Sequence, residues 1–562
     1  MNMRTATQPS FPYRARYGLG MFCVLCSAGV AAADAPQSVT PPNAATIEQQ
    51  WVAANRPFDG VRRTILAQTL KEAWQGPMSP DWQSLTAYST PQWYRDAKFG
   101  IFIHWGVYSV PAYKGEWYPR HMYERTGENS DRYRHQIATY GPMPQYGYKD
   151  LIPLFKAEHF NPQAWAKLFR DAGARYVVPV AEHHDGFAMY DSKLSDWTAV
   201  KMGPHRDVIG ELAKAIRAQG MKLGLSSHRA EHDWFYEYGR TFNSDVNDPR
   251  YAALYGPAHP TESAIGEDGK EVDWTFVSDA YLDDWLARSS EIVQDYHPDL
   301  MYFDWWVGQP RFRGALAEFA AFYYNQAAAR DQGVVLNYKL DNMMPGTGTL
   351  NIERGQAADI RPQPWQTETS VSPDSWGYAE GDTYKSPDEI VQLLVDVVSK
   401  NGNLLLNIGP KADGTIPDQA KHILLSVGGW LKVNSEAIYG SRPWHRFGEG
   451  PTQVAAGTMQ DTKTKPYTAE DFRFTTHDGR LYAIEMEWPS SGHAWIHSIA
   501  PSTKVKAVTL LATGKPVTFH QQDDGLHLDV PARPDGVHAY VYRIDTEDDV
   551  AQTTTEGRKH LP

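Results

Sequence analysis

From about residue 93 to 440 the chain alternates short, continuous apolar runs with longer stretches of helical spacing. The runs occupy residues 99–104, 176–183, 222–227, 300–304, 333–337 and 403–409, and the helical stretches 161–172, 205–219, 279–296, 314–330, 387–400 and 417–435. Strands that are apolar throughout and separated by helices predict a parallel sheet covered on both faces. No glycine-rich dinucleotide turn follows the first run. Most runs instead end in a polar residue: His104, His183, Ser227, Asp304, Asn337 and Asn407. A ring of polar groups at the C-terminal ends of parallel strands is where barrel enzymes place their chemistry. The pattern predicts an α/β chain with a (β/α)8-type barrel over residues 84–440, although fewer than eight strands are visible.

Beyond 440 the texture changes to alternating polar and apolar positions, in segments starting at Phe472, Arg480, Val505, Leu526 and Val537. His477-Asp478-Gly479-Arg480 and Gln522-Asp523-Asp524-Gly525 are hairpin turn signals. Residues 441–550 are therefore expected to form a small antiparallel β-sandwich. Residues 34–83 read as a flexible lead-in and helical preface, and 551–562 as a loose tail.

The first segment changes the picture of where the chain works. Arg4, Arg14 and Arg16 precede an apolar run from Tyr17 to Val30 that exits through Ala31-Ala32-Ala33, with no acidic residue before Asp34. This is the three-part pattern of a signal peptide over residues 1–33, which predicts a periplasmic or secreted protein with no membrane anchor after cleavage. The run is shorter than the roughly 20 apolar residues of a span. Both cysteines, Cys23 and Cys26, lie in this leader, so the exported chain has no disulfide, cysteine-ligated zinc or cysteine nucleophile. The net charge of −13 grows more negative when the leader arginines leave, which argues against a nucleic-acid partner. The 19 Trp and 31 Tyr lean toward sugars, whose C–H faces stack on aromatic rings, but tryptophan is also core filler.

Several constellations carry chemistry. Asp304 ends the run Pro298-Asp-Leu-Met-Tyr-Phe and precedes Trp305-Trp306. A carboxylate held at a strand end can attack an anomeric carbon; it can equally cap the next helix or pair with a buried arginine. His183 and His184 are adjacent, so a regular strand would turn only one inward. Metal ligation with His104 and His228 finds no His-x-x-x-His spacing to support it, and neither metal nor cofactor is expected. Glu116, Trp117 and Tyr118 place a carboxylate beside aromatics, as a sugar with hydroxyl edges and apolar faces requires. Glycoside hydrolysis needs a second carboxyl group. Glu353 and Glu368 are the candidates, with Asp359 and Asp374 less well framed.

Taken together, Trp93-Tyr-Arg-Asp-Ala-Lys-Phe-Gly-Ile-Phe-Ile-His104-Trp-Gly, Glu116-Trp117-Tyr118, the His183-His184-Asp-Gly-Phe block, Pro298-Asp-Leu…Asp304, Ser375-Trp376-Gly377-Tyr378 and Asn401-Gly-Asn-Leu-Leu-Leu-Asn-Ile-Gly-Pro410 resemble, in order, the α-L-fucosidases of glycoside hydrolase family 29. The resemblance implies a retaining exo-α-L-fucosidase acting on fucosylated glycans through a covalent intermediate. It matches Asp304 to the nucleophile and Glu353 to the acid/base. It matches His104, Glu116, Trp117, His183 and His184 to sugar-binding positions, and Trp376 to an aromatic near the fucose methyl. The family often has a tyrosine at the end of the third strand, where this chain carries His228 as a stand-in. Glu368 remains a reserve for the acid/base. A related exo-glycosidase of another sugar, or an inactive carbohydrate-binding barrel, are the alternatives. Residues 125–147 and 255–275, read as insertions over the strand ends, are expected to set the fucose linkage.

Overall fold

The computed structural model describes residues 37–261, 277–534, 538–548 and 550. The leader, the tail and most of 255–275 lie outside these residues. Eight parallel strands close into a barrel in sequence order: β1 (Phe99–Ile103), β2 (Tyr176–Glu182), β3 (Lys222–Ser227), β4 (Leu300–Phe303), β5 (Val335–Lys339), β6 (Thr349–Glu353), β7 (Trp365–Ser370) and β8 (Gly402–Ile408), with β8 pairing back onto β1. Every residue of β1, β2, β4, β5, β7 and β8 is buried, because helices cover the outside and side chains fill the inside.

Local chemistry starts the helices where the barrel needs them. Asn161 accepts from the Ala164 amide at the head of Pro162–Asp171. Ser386 and Glu389 form a reciprocal capping box on Pro387–Ser399, with proline in the first turn. The preface folds as helices Ala44–Asn55 and Asp59–Trp74. Arg62 of the second reaches Asp284 Oδ1 through Nε and Nη2, at 3.2 and 3.1 Å, on helix Asp279–Tyr296.

The barrel interior is polar at its middle. Gln366 of β7 accepts from Tyr94 (2.8 Å) and Tyr176 (3.0 Å) and donates to Asn351 of β6 at 2.8 Å. Strands β6 and β7 are the two that hydrophobic patterning does not reveal, since their inward positions hold Asn351, Gln366 and Glu368 rather than aliphatics.

Beyond the barrel an antiparallel six-stranded sheet and a three-stranded sheet share one apolar core. Phe474, Leu481 and Tyr542 meet Ile496, Leu526 and Leu528 there. The His477-Asp478-Gly479-Arg480 turn joins Phe472–His477 to Arg480–Glu485, with Asp478 and Gly479 both at positive φ (49° and 74°), the backbone a two-residue hairpin needs. A strand unmarked by the sequence pattern, Arg442–Glu449, extends this sheet toward the barrel.

Candidate active site

One cavity at the C-terminal mouth of the barrel is lined by Phe102, His104, Glu116, Trp117, His183, His184, His228, Tyr302, Asp304, Trp305, Lys339, Glu353, Glu368, Trp376 and Met459. Asp304, Glu353, Glu368, His104, Glu116, Trp117, His183, His184, His228 and Trp376 all face this one space, whereas Tyr118, Asp359 and Asp374 do not line it.

Asp304 follows β4 directly. Its Oδ1 accepts from the Trp305 amide at 2.8 Å and so caps the short turn Trp305–Gly308. The capping and the cavity-facing readings of this residue therefore hold together. Oδ1 also accepts from Lys339 Nζ at 2.7 Å, and Oδ2 lies 3.0 Å from His228 Nδ1. An ionised carboxylate only accepts, so Nδ1 of His228 carries the hydrogen and Nε2 accepts from the Ser226 hydroxyl at 3.1 Å. Burial alone would raise the Asp304 carboxyl, but Lys339, His228 and His184 together hold it well below the ordinary carboxylate range.

Lys339 is the hub. From the end of β5 its Nζ also donates to Glu353 Oε2 at 2.7 Å and sits 3.5 Å from Glu368 Oε1. Burial works to lower this amine, yet Asp304 and Glu353 outweigh it and keep the group charged. The two reserve carboxyls differ in kind. Glu353 ends β6 with its side chain 18% exposed, whereas Glu368 on β7 is sealed at 0% and takes the Tyr302 hydroxyl at 3.0 Å. Burial, reinforced by Glu353 and opposed by Lys339, pushes Glu368 up to about 7.

Around these groups the imidazoles are dressed for hydroxyl recognition. Asn407 Oδ1 accepts from both the amide and Nδ1 of His104, at 3.1 and 2.7 Å, which leaves His104 Nε2 as an acceptor. Burial lowers His104 and His183, so both are neutral at ordinary pH. Strand β2 stops at Glu182 after a register shift against β3, and this end of regular pairing lets His183 and His184 both reach the cavity. Burial also acts to lower His184, but Glu231, 3.4 Å away, raises it. Glu116 Oε2 accepts from the amides of Trp376 and Gly377, both at 2.9 Å. The Arg354 guanidinium lies 4.6 Å over the Trp376 ring, so Glu116 fixes the backbone of this residue and Arg354 covers its indole.

A deep cup with a buried carboxylate, a second carboxyl nearer solvent, neutral imidazoles and aromatic walls suits a single sugar ring. The family model for α-L-fucosidase matches residues 65–436, and that for the α-L-fucosidase C-terminal domain matches residues 464–545. The chain belongs to the α-L-fucosidase family. Rat tissue α-L-fucosidase is 33% identical over 464 residues, covering 82% of this chain and 89% of its own. The crystal structure of Thermotoga maritima α-fucosidase is 29% identical with a TM-score of 0.65, covering 83% of this chain and 100% of that one. The same enzyme in complex with fucose is 30% identical with a TM-score of 0.64, over the same shares. The chain is thus a glycoside hydrolase with a closed eight-stranded barrel and an antiparallel C-terminal sheet domain.

Within this fucosidase frame, sequence reasoning passed over Lys339, Tyr302, Trp305, Phe102 and Met459. Asn337, read as the polar end of its strand, is instead buried in the barrel, donating to the Thr349 carbonyl at 3.3 Å. Strand β5 runs two residues further, and Lys339 is what reaches the mouth. His104, His183 and His228 bring ring nitrogens within 4.8 Å of one another, a convergence that linear spacing cannot show. His184, His228 and Asp304 form a second such group, in which His228 Nδ1 and Asp304 Oδ2 share a hydrogen bond at 3.0 Å. None of residues 125–147 lines the cavity among the described residues; Met459 does, from well beyond the barrel strands.

Proposed function

We propose that this fucosidase removes terminal α-L-fucose from oligosaccharides or glycoconjugates with retention of configuration, and that it does so after export to the periplasm or beyond. The observation that carries the mechanism is the single Lys339 ammonium shared by Asp304 and Glu353. Each carboxylate oxygen lies 2.7 Å from Nζ, so the two are within twice that distance of one another. A nucleophile and acid/base pair in retaining enzymes stands roughly 5–5.5 Å apart, against roughly 6.5–9.5 Å in inverting ones.

Asp304 Oδ1 accepts from two donors, whereas Oδ2 accepts one hydrogen bond, from His228, with His184 Nε2 3.8 Å away, which makes Oδ2 the attacking atom. Oδ2 forms a bond to the fucosyl anomeric carbon while the bond to the leaving oxygen breaks. That oxygen takes the electron pair, and Glu353 supplies its proton. In the second step Glu353, now a carboxylate, takes a proton from water; the water oxygen attacks the same carbon and Asp304 leaves as a free carboxylate. His104, His183, His184 and Glu116 receive the hydroxyls, while Trp117, Phe102 and Trp376 supply an apolar wall for the methyl that distinguishes fucose from galactose. Export is supported by the leader pattern of residues 1–33.

Asp304→Ala is the direct test. Release of the chromophore from an aryl α-L-fucoside is expected to fall by about 10⁴-fold or more, as for loss of a covalent nucleophile, while fucose still binds. Azide added to this variant should yield the β-fucosyl azide, the product of a single inversion. Full activity in Asp304→Ala would overturn the assignment.

A further inference from the structure

We propose that the segment 457–461, and Met459 above all, walls the subsite that receives the leaving sugar, and that Met459 selects acceptors presenting an apolar C–H face to it. This rests on Glu353 as the group that protonates the leaving oxygen.

The leaving sugar begins one bond away from the atom that Glu353 protonates, so whatever stands beside Glu353 on the solvent side meets it. Met459 stands there. Its amide donates to the Glu353 carbonyl at 2.9 Å, and its side chain lines the cavity while remaining 49% exposed. The histidines, Glu368 and Tyr302 are sealed by the barrel, which leaves a rim of Trp117, Trp305, Glu353, Trp376 and Met459, with Met459 the one joined to Glu353 by its backbone hydrogen bond.

The segment is fixed there by specific contacts. Gln460 and Asp461 amides donate to the Arg354 carbonyl at 2.7 and 2.9 Å, and Gly457 exchanges hydrogen bonds with Gln356 at 2.9 and 3.3 Å. Gly355 permits the approach, since a Cβ there would come within 2.2 Å of the Gly457 carbonyl oxygen. The Asp461 carboxylate is buried against Lys385 (2.6 Å) and Arg354 (3.6 Å). These anchors hold Met459 at φ 56°, a left-handed backbone that a residue with a side chain seldom adopts. An unbranched, polarizable thioether fits the uneven axial C–H face of a pyranose better than a branched aliphatic chain.

The test compares α-L-fucosyl fluoride, whose leaving group is too small to reach residue 459, with a panel of α1,2-, α1,3-, α1,4- and α1,6-linked fucosyl disaccharides. In Met459→Ala the ratio of kcat/KM on the best disaccharide to that on the fluoride is expected to fall about five- to tenfold, the loss of one apolar contact in the transition state. Met459→Leu should recover part of it, and the order of preference among linkages should change. A ratio within about twofold of the wild-type value in Met459→Ala, a small energy on this scale, would overturn the proposal. Failure of the Glu353 assignment shows separately, as equal slowing of the fluoride and the disaccharides in Glu353→Gln.

Discussion

Replacing Lys339 by methionine removes the one ammonium that faces three carboxyl groups. At 2.7 Å from Asp304 Oδ1, and with an effective dielectric constant of about 20, this ion pair carries a Coulomb energy of about 6 kcal/mol. Water entry and proton uptake return much of it, yet breaking a buried pair at one partner still costs about 3–5 kcal/mol. Two consequences are expected. First, kcat/KM on an aryl fucoside falls by about 10²–10⁴-fold at its optimum, the rate equivalent of that energy. Second, the acid limb of the pH profile moves up. Asp304 must be ionised to attack, and Lys339 is the leading group that offsets its burial; each 1.36 kcal/mol lost raises its pKa by about one unit. The assay is kcat/KM from about pH 4 to 8, the range over which carboxyl pairs are tuned, with thermal unfolding as a control for folding. An acid limb that stays in place while the rate falls would refute the reasoning, since Lys339 would then act on the substrate alone.

Glu353→Ala should slow fucosides with poor leaving groups far more than activated aryl fucosides, because protonation matters less when the departing oxyanion is stable; equal slowing in parallel assays would remove Glu353 from the acid role. Glu368 has its folded pKa raised to about 7, above the unfolded carboxyl value, so its contribution to stability is present at acid pH and lost as pH rises through about 7. Glu368→Gln should therefore gain melting temperature relative to wild type at about pH 8 more than at about pH 5; identical shifts at both pH values would count against this. Mass spectrometry of the exported protein should find a mature N-terminus at Asp34, and retention of the leader in that fraction would refute cleavage.

Six of the eight barrel strands were legible because both their faces are apolar, and Asp304, His104 and His183 were legible because they sit where those runs stop. Strands β6 and β7 were not, since a barrel satisfies interior polar groups through partners distant in sequence, as Gln366 does with Tyr94 and Tyr176. Their carboxyls, Glu353 and Glu368, stood out only by chemistry and family resemblance. Lys339 lies two residues past the run at 333–337, where the hydrophobic pattern carries no signal for it. Met459 lies in a polar stretch outside the barrel, where periodicity carries no signal; only the fold brings it to Glu353.

The contact between Arg62 and Asp284 also has a bearing on the order in which the chain assembles. The arginine is made 222 residues before its partner, and the helix that bears it packs against Asp279–Tyr296 and Arg313–Ala329. A ribosome adding about 5–20 residues per second takes roughly 10–45 s to close that gap. For that interval the second preface helix lacks the two later helices it packs against, and the barrel cannot shut until β8 arrives later still. A front end that stays unfinished so long is easily threaded, which suits the export proposed for this chain.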